Sequence, residues 1–274
     1  ERQKLYQINQ AAAQYFHNLL NSPAGEKTRG YLKERGFSPQ TIADFQLGFS
    51  LDSWEALKQH LINIGYSEAE LLTAGLIVEA ESGKTHDRFR GKLMFPIFDV
   101  RGRITGFGAR VLDDSVPKYV NSPDTPIFDK SSSLYGINLA KDAIRQQNLA
   151  VIVEGYMDVI TAHQNGFKNV VASMGTAVTE KQVNILKRLT KNMALALDAD
   201  AAGGEAMLRC VSYENTLDAE VKVIILPRGK DPDDVIKEDA KAWQKLLEEA
   251  LPIVDYTFNI CLLYTSPSPR DRQK

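Results

Sequence analysis

Two aspartates, Asp198 and Asp200, stand one residue apart at the end of the apolar run "MALAL". Such a run is typical of a buried strand, so both carboxylates are predicted to follow its carboxyl end. Aspartate is also common in turns and helix caps, where its side chain accepts hydrogen bonds from backbone N–H groups. The pair alone therefore fits either a turn or a chemical site, and the rest of the sequence has to distinguish the two.

Carboxylates also follow two other predicted strands. Glu154 lies at the end of the apolar run in "LAVIVEG", and Asp158 comes one helical turn later. Asp231 and Asp233 follow "EVKVIILP" in the segment "PRGKDPDD". The carboxyl ends of parallel strands meet at one edge of a sheet, which is where open α/β sheets bind ligands. The sequence therefore predicts a cluster of acidic side chains at that edge.

A cluster of carboxylates needs a counter-charge, because neighbouring like charges raise one another's pKa. Oxygen ligands without nearby His or Cys favour hard cations, so we expect Mg²⁺ or Mn²⁺, ions that support phosphoryl transfer. Cys210 and Cys261 are the two cysteines, and no CxxC pair is present, so we expect no zinc site in this chain. The sequence has no GxxxxGK[ST] motif, which argues against a P-loop ATPase.

Positive charge is concentrated in one segment of a chain whose formal net charge is −2. Between residues 84 and 110, seven cations stand against the two anions Asp87 and Asp99, a balance of 7 − 2 = +5: Lys84, Arg88, Arg90, Lys92, Arg101, Arg103 and Arg110. A basic segment of this kind is a candidate phosphate-binding surface. A solvated, charged hairpin is the alternative.

The elements that must position these residues fall into two groups. Residues 1–72 are predicted to be helical, with Ser38 capping a helix that starts at Pro39 and Gly65 ending another. A hairpin follows, in which Pro96 favours an edge strand, and then the aperiodic segment 117–136. From residue 149 four apolar strands alternate with helices, the last helix spanning "DDVIKEDAKAWQKLLEEA", which predicts a parallel sheet.

The two ends of the chain contribute little to these predictions. No run reaches the roughly 18 apolar residues of a membrane span, and the start lacks a secretory signal, so we expect a cytoplasmic protein without a membrane partner. The chain does not begin with Met, which suggests a fragment. Residues 261–274, "CLLYTSPSPRDRQK", resemble the translation of a sequencing adaptor and are predicted to be a non-native tail.

The motifs taken in order resemble a known family. "VEGYMDV", "LDADAAG" and "GKDPDDVI" resemble the Toprim fold, and the upstream "DRFRGKLMFPIFDVRGRITGFGAR" and "PKYVNSPDTPIFDKSSSLYG" resemble the RNA polymerase core of bacterial DnaG-type primases. The resemblance covers about residues 30–260. It implies an α/β fold, in which an N-terminal mixed α+β subdomain (1–148) precedes a Toprim-type parallel sheet with helices on both faces (149–235) and a helical segment (236–260).

The resemblance also implies roles for individual residues. Asp198 and Asp200 are expected to bind metal, and Glu154 to act as a metal ligand or as the general base, an alternative that the sequence leaves open. Asp158, Asp231 and Asp233 are expected to complete the metal site, although Asp158 also suits a helix N-terminus and Asp231 a turn. The residues expected to face nucleotides or template are Arg88, Arg90, Arg103, Arg110, Lys118, Tyr119 and Lys130.

The implied activity is that of a DNA-dependent RNA polymerase that makes short RNA primers on single-stranded DNA from ribonucleoside triphosphates. Members of the family usually carry a zinc ribbon and a helicase-binding domain as well, so a replicative helicase is expected to bind through a missing C-terminal domain. The primase half of a phage primase-helicase is an alternative. A Toprim nuclease or topoisomerase, or a non-catalytic Toprim mediator, is the alternative of different chemistry, and the basic segment argues against it.

Overall fold

The computed structural model describes residues 2–175, 177–197 and 218–256. Asp198, Asp200 and the predicted tail 261–274 therefore lie outside the described residues. The chain divides into two compact units, Glu1–Leu139 and Ala140–Lys274, which we describe in turn.

Five α-helices form the first part of the first unit: α1 (Arg2–Leu20), α2 (Glu26–Glu34), α3 (Pro39–Asp44), α4 (Ala56–Asn63) and α5 (Glu68–Thr73). The predicted cap of α3 is confirmed, since Ser38 accepts a hydrogen bond from the Thr41 N–H and Pro39 occupies the first turn. Gly65 follows α4 with a φ of 105°, a conformation that favours glycine and that ends this helix as predicted.

Six strands belong to the same unit: β1 (Gly48–Ser50), β2 (Ile77–Glu79), β3 (Thr85–Asp87), β4 (Lys92–Phe98), β5 (Ile104–Val111) and β6 (Tyr119–Asn121). Four of them form an antiparallel sheet in the order β1-β4-β5-β6, and β2 pairs with β3. The predicted hairpin is thus confirmed as β4 and β5. Strand β1 lies within the segment that we expected to be helical throughout, and β6 lies in the segment expected to be aperiodic.

The prediction that Pro96 marks an edge strand was wrong. Strand β4 lies inside the sheet, with β1 on one side and β5 on the other. The proline is tolerated there because β1 pairs only with Lys92, Leu93 and Met94, so Pro96 lies beyond the end of its short neighbour. A proline needs only a local gap in the pairing, so it does not require the whole strand to lie at the edge of the sheet.

The core of this unit forms where α1 packs on the sheet. The buried residues Ile8, Ala12 and Phe16 recur at helical spacing on α1, and Phe16 meets Phe107 of β5 edge to face with ring centres 5.6 Å apart. Strand β1 approaches α1 so closely that a Cβ at Gly48 would lie 2.6 Å from the Phe16 Cβ. Glycine is therefore required at that contact.

Helix α6 (Ile137–Gln147) leads into the second unit, whose strands and helices alternate as predicted as far as β9: β7 (Ala150–Val153), α7 (Tyr156–Gln164), β8 (Val170–Ala172), α8 (Glu180–Lys187) and β9 (Asn192–Leu197). Strand β10 (Glu220–Ile225) is the fourth predicted strand, and the helix predicted between β9 and β10, "GGEAMLRCVSYENTL", lies outside the described residues. Helices α9 (Pro232–Glu238) and α10 (Ala240–Glu248) and strand β11 (Leu251–Pro252) follow. The order β8-β7-β9-β10-β11 is parallel over its first four strands. The predicted α/β fold, with a parallel sheet flanked by helices, is confirmed.

Two details of this unit differ from the prediction. The helix expected after "PRGK" is two helices, because Asp239 has an extended backbone (φ −157°, ψ 105°) and its side chain caps α10 by accepting from the Lys241 N–H. Strand β11 adds an antiparallel edge to β10, which a run of two residues could not indicate. Within the described residues, none of the helices combines the length and apolar character that a membrane span requires.

Candidate functional site

The first predicted site residue of the second unit lies directly after β7. Glu154 is exposed at the end of that strand, and its backbone carbonyl accepts a hydrogen bond from the Gly175 N–H at 3.2 Å. That N–H reaches Glu154 from the turn after β8, where Met174 and Gly175 adopt positive φ angles of 63° and 75°. The turn that follows one strand therefore fixes the backbone at the end of its neighbour.

Asp158 lies in the first turn of α7 and is 6% exposed. Its Oδ2 accepts from the Gly155 N–H at 3.0 Å and its Oδ1 from the Asp233 N–H at 3.1 Å. Burial raises the pKa of Asp158 to about 7, with a smaller contribution from the negative charge of Asp231. The contact with Gly155 is the helix N-terminal role that the sequence also allowed.

Glycine at position 155 follows from this contact. A Cβ built there would lie 2.8 Å from Asp158 Oδ2, closer than a Cβ contact allows. The Glu154-Gly155 pair thus combines an exposed carboxylate with the space that the Asp158 carboxylate needs.

A second group of carboxylates lies at the start of α9. Asp231 is the N-cap of this helix: it accepts from the Asp234 N–H at 2.8 Å, and Asp234 in turn accepts from the Asp231 N–H at 3.3 Å. The cap position agrees with the turn role considered for Asp231. Burial raises the pKa of Asp231, and the charges of Asp234 and Asp233 add to the effect.

Asp233 is the most deeply buried of these carboxylates, with 3% of its surface exposed. Its Oδ1 accepts from the Thr161 hydroxyl of α7, and its Oδ2 lies 2.9 Å from the Lys237 ammonium nitrogen. Asp233 therefore joins α9 to α7 through its side chain, and through its N–H it joins α9 to Asp158.

The donor set at this edge of the sheet fits a divalent cation. Carboxylate oxygens of Asp231, Asp233 and Asp234 all lie within 4.8 Å of one another, and oxygen is the ligand atom that Mg²⁺ and Mn²⁺ prefer. We call the carboxylates of Glu154, Asp158, Asp231, Asp233 and Asp234 the acidic rim. Asp198 and Asp200, the other two predicted ligands, lie outside the described residues, so their metal role stays a prediction.

In the first unit, Arg90 and Arg110 are predicted basic residues that lie against aromatic rings. The guanidinium carbon of Arg90 lies 3.7 Å from the centre of the Trp54 ring, and Trp54 is 63% exposed. The guanidinium of Arg110 lies 4.9 Å from the Tyr31 ring centre and 5.6 Å from that of Tyr119. Stacking of this kind fixes the plane of a guanidinium without using its N–H donors.

Several of those donors are unused. Among the described residues, the buried Nη1 of Arg90 and the buried Nε and Nη1 of Arg110 have no hydrogen-bond acceptor. Arg90 also lines a cleft of about 750 Å³ together with Lys92, Tyr31 and Thr28. Buried polar groups normally find partners, so spare donors next to a cleft are compatible with an anionic ligand.

The remaining residues predicted to face nucleotides or template are placed differently. Lys118 and Tyr119 are exposed at β6, next to Arg110 of β5, and Lys130 is half-buried in a short 3₁₀ helix, Lys130–Ser132. Burial lowers the pKa of Arg88. Arg103 forms an ion pair with Asp99, and its guanidinium carbon lies 4.2 Å from the centre of the Tyr6 ring. It precedes β5, whereas Arg110 lies near the end of that strand. The structure therefore does not bring Arg103 together with Arg110.

Sequence reasoning missed several residues around both regions. Asp234 lay within the quoted motif "PRGKDPDD" and could have been included, since it is the third residue after Asp231 and thus completes a capping box. Lys237 could also have been included, since it is the fourth residue after Asp233 on the same helix, a spacing at which side chains pair. Thr161 could not have been linked to Asp233 without knowing that α7 packs against α9. Tyr31 and Trp54 contact arginines that are distant in sequence, for which no local signal exists.

Comparison with known protein families divides the chain close to the boundary between the two compact units, Leu139 and Ala140. A family model described as the DNA primase catalytic core, N-terminal domain, matches residues 15–141. A Toprim-like family model matches residues 151–236. The chain is also 45% identical to a DNA primase of Clostridium acetobutylicum over 258 residues, which cover 93% of this chain and 42% of that protein. The chain thus spans less than half the length of this relative.

Solved structures give the same result for the fold. The RNA polymerase domain of the Mycobacterium tuberculosis primase DnaG is 34% identical and superimposes with a TM-score of 0.88, covering 96% of this chain and 88% of that one. A DnaG primase catalytic domain bound to single-stranded DNA is 35% identical with a TM-score of 0.88, covering 99% of this chain and 89% of that one. At these identities the likeness extends beyond the fold.

Proposed function

Because this chain belongs to the DnaG-type primase family and spans its catalytic core, we propose that it polymerises ribonucleotides into short RNA primers on single-stranded DNA. The observation that carries the proposal is the combination, in one chain, of a carboxylate cluster at the end of a parallel sheet with arginines that keep donors without an acceptor, one of which, Arg90, lines a cleft. Phosphoryl transfer on a polyanionic template needs both kinds of surface.

The acidic rim, together with Asp198 and Asp200, is proposed to bind the metal. Glu154, Asp198 and Asp200 would bind it, with Asp158, Asp231 and Asp233 completing the site; Glu154 acts either as a ligand or as the general base. When bound, divalent ions supply activation of the attacking hydroxyl and stabilisation of the leaving oxygen. Asp158 and Asp233 hold the ends of α7 and α9 together, which keeps the exposed carboxylates in place. Mg²⁺ is the proposed ion, and Mn²⁺ the expected substitute.

Six basic residues of the first unit and Tyr119 are proposed to bind the template and the nucleotide phosphates; the basic residues are Arg88, Arg90, Arg103, Arg110, Lys118 and Lys130. The basic residues are supported by their positive charge and, for Arg90 and Arg110, by donors that have no acceptor although the guanidinium lies on an aromatic ring. Tyr119 is 37% exposed and offers an aromatic face on which a base could stack.

A replicative helicase is the proposed partner of the part of the protein that this chain does not span. Since primers are made where DNA is replicated, a cytoplasmic location is proposed.

One assay tests the proposal against its rival. The chain is incubated with single-stranded DNA, labelled ribonucleoside triphosphates and either Mg²⁺ or Mn²⁺, and the products are separated on a denaturing gel. Short RNA that depends on template and metal is the expected result. Cutting of the template without RNA synthesis would instead identify a Toprim nuclease. If neither RNA synthesis nor template cutting is observed, both functions are contradicted.

A further inference from the structure

Lys237 lies on α9 one turn after Asp233, and its ammonium nitrogen is 2.9 Å from Asp233 Oδ2. The carboxylate is buried, with 3% of Asp233 exposed, and its other oxygen accepts from the Thr161 hydroxyl. A carboxylate removed from water is strongly destabilising unless a cation and hydrogen-bond donors compensate it. Lys237 supplies a positive charge at that oxygen.

Hydrogen bonds continue from Asp233 towards the end of β7. The Asp233 N–H donates to Asp158 Oδ1 at 3.1 Å, and Asp158 Oδ2 accepts from the Gly155 N–H at 3.0 Å. Gly155 follows Glu154 directly, so a connected series of bonds runs from the Lys237 ammonium to the backbone beside Glu154. A displacement of Asp233 would therefore also displace Asp158 and the backbone next to Glu154.

Another ion pair of this unit has the same spacing but a different setting. Lys245 and Glu249 are also four residues apart, at 3.7 Å, and their side chains are 71% and 61% exposed. Exposed pairs of this kind contribute little because water already solvates both charges. Lys245 is therefore a matched control for Lys237.

We propose that Lys237 is a positioning residue of the acidic rim. Its ammonium compensates the charge of the buried Asp233 carboxylate and so preserves the hydrogen bonds that join Asp233, Asp158 and Gly155. This inference rests on the proposed metal-binding role of the rim. It follows that a protein without this ammonium depends on an added divalent cation to compensate Asp233 and to keep the rim ordered.

The experiment compares the full chain with Lys237→Met, Lys237→Arg and the control Lys245→Met. Thermal unfolding is measured in EDTA and again with Mn²⁺, and Mn²⁺ binding is measured directly by electron paramagnetic resonance. In EDTA, Lys237→Met is expected to melt several degrees below the parent chain, and Lys237→Arg and Lys245→Met close to it. Added Mn²⁺ is expected to raise the melting temperature of Lys237→Met more than that of the parent chain. Equal melting of the two methionine variants in EDTA, or equal Mn²⁺ shifts, would overturn the proposal.

A second variant covers the case in which Lys237→Met does not fold. The double variant Asp233→Asn with Lys237→Met removes both charges, so it is expected to fold and to melt above Lys237→Met. A double variant that is no more stable than the single one would contradict the compensation by Lys237. A parent chain that binds no Mn²⁺ and makes no RNA, yet shows the melting difference in EDTA, would contradict the proposed function and leave the compensation of Asp233 by Lys237 supported.

Discussion

The acidic rim of the second unit and the basic residues of the first unit hold their charges in opposite ways. In the acidic rim, Asp158 and Asp233 are buried, and each of their four carboxylate oxygens accepts a bond from a backbone N–H, a hydroxyl or an ammonium. In the first unit, Arg90 and Arg110 are held by aromatic rings and keep donors that have no acceptor among the described residues.

This difference follows from what each region is proposed to bind. A divalent ion requires oxygen atoms at fixed distances. In the acidic rim, hydrogen bonds to the buried carboxylates therefore keep the other carboxylates in place. A nucleic acid presents many phosphates in a flexible chain, so its binding surface gains more from unused donors than from fixed ones. The two regions should therefore respond differently to the same kind of change, which the following predictions test.

The largest effect is expected from Asp198→Asn combined with Asp200→Asn. Each change removes a negative charge from the proposed metal site, so RNA synthesis should fall by more than the ~10–100-fold that is typical for changes to outer partners of a metal site. Binding of single-stranded DNA should persist or tighten, because charges that repel phosphate are gone. Gel assays of synthesis and titrations of labelled DNA measure the two effects.

The control for this variant is Asp239→Asn. Asp239 caps α10 by accepting from the Lys241 N–H, and asparagine caps helices about as well as aspartate, so this change should be nearly silent. Near-normal synthesis by a folded Asp198→Asn, Asp200→Asn protein would mean that both aspartates act only in a turn. It would also contradict the proposal that the second unit binds metal while the first binds nucleic acid.

A smaller effect, confined to binding, is expected from Arg110→Ala combined with Lys118→Ala. Each lost phosphate contact should lower the slope of log Kd against log salt concentration by ~1 and weaken binding for all template sequences alike. Arg103→Ala is expected to change the slope less, because Arg103 is already paired with Asp99. Binding of the parent chain that does not respond to salt would contradict the assignment of template phosphates to this region.

A third effect concerns the pH dependence of stability in EDTA. The pKa of Asp158 is about 7 in the folded protein, against an ordinary value of 3.8. Between these values the folded protein retains a proton that the unfolded chain has released, so raising the pH from 4 to 7 lowers the free energy of unfolding by at most ~1.4 kcal/mol per pH unit. Asp158→Asn should remove this contribution. Denaturant unfolding of both proteins at several pH values measures it, and equal pH slopes would contradict the raised pKa.

The sequence predicted more of the second unit than of the first. In the second unit the alternation of apolar strands with helices is a local signal, and parallel topology then places Glu154, Asp158 and Asp231 at strand ends or helix starts. In the first unit β1 is three residues long and could not be distinguished within a helical region. The Pro96 error has the same cause, since the length of a neighbouring strand is a tertiary property.

For the site, residue types were predictable and their partners were not. Asp233 was selected from its position in "DPDD", but its contacts with Thr161 and Asp158 join residues more than seventy positions apart. Arg103 and Arg110 were selected together because both lie in one basic segment, whereas the structure places them towards opposite ends of β5. Charge density along a sequence does not specify which charges share a surface.

The smallest effect is expected from ending the chain at Ile260. The acidic rim and the basic residues with their aromatic partners all belong to residues 2–256, apart from the predicted Asp198 and Asp200, so the contrast between the two regions requires nothing from residues 261–274. The shortened chain should unfold within ~1 kcal/mol of the full chain, which is the size of a typical single substitution. It should also bind single-stranded DNA with the same salt slope. Denaturant unfolding and DNA titration of the two chains measure this, with the Asp239→Asn protein as a reference for a silent change. A larger loss of stability would mean that residues 261–274 contribute to the folded structure, and a changed salt slope would mean that they also contribute to DNA binding.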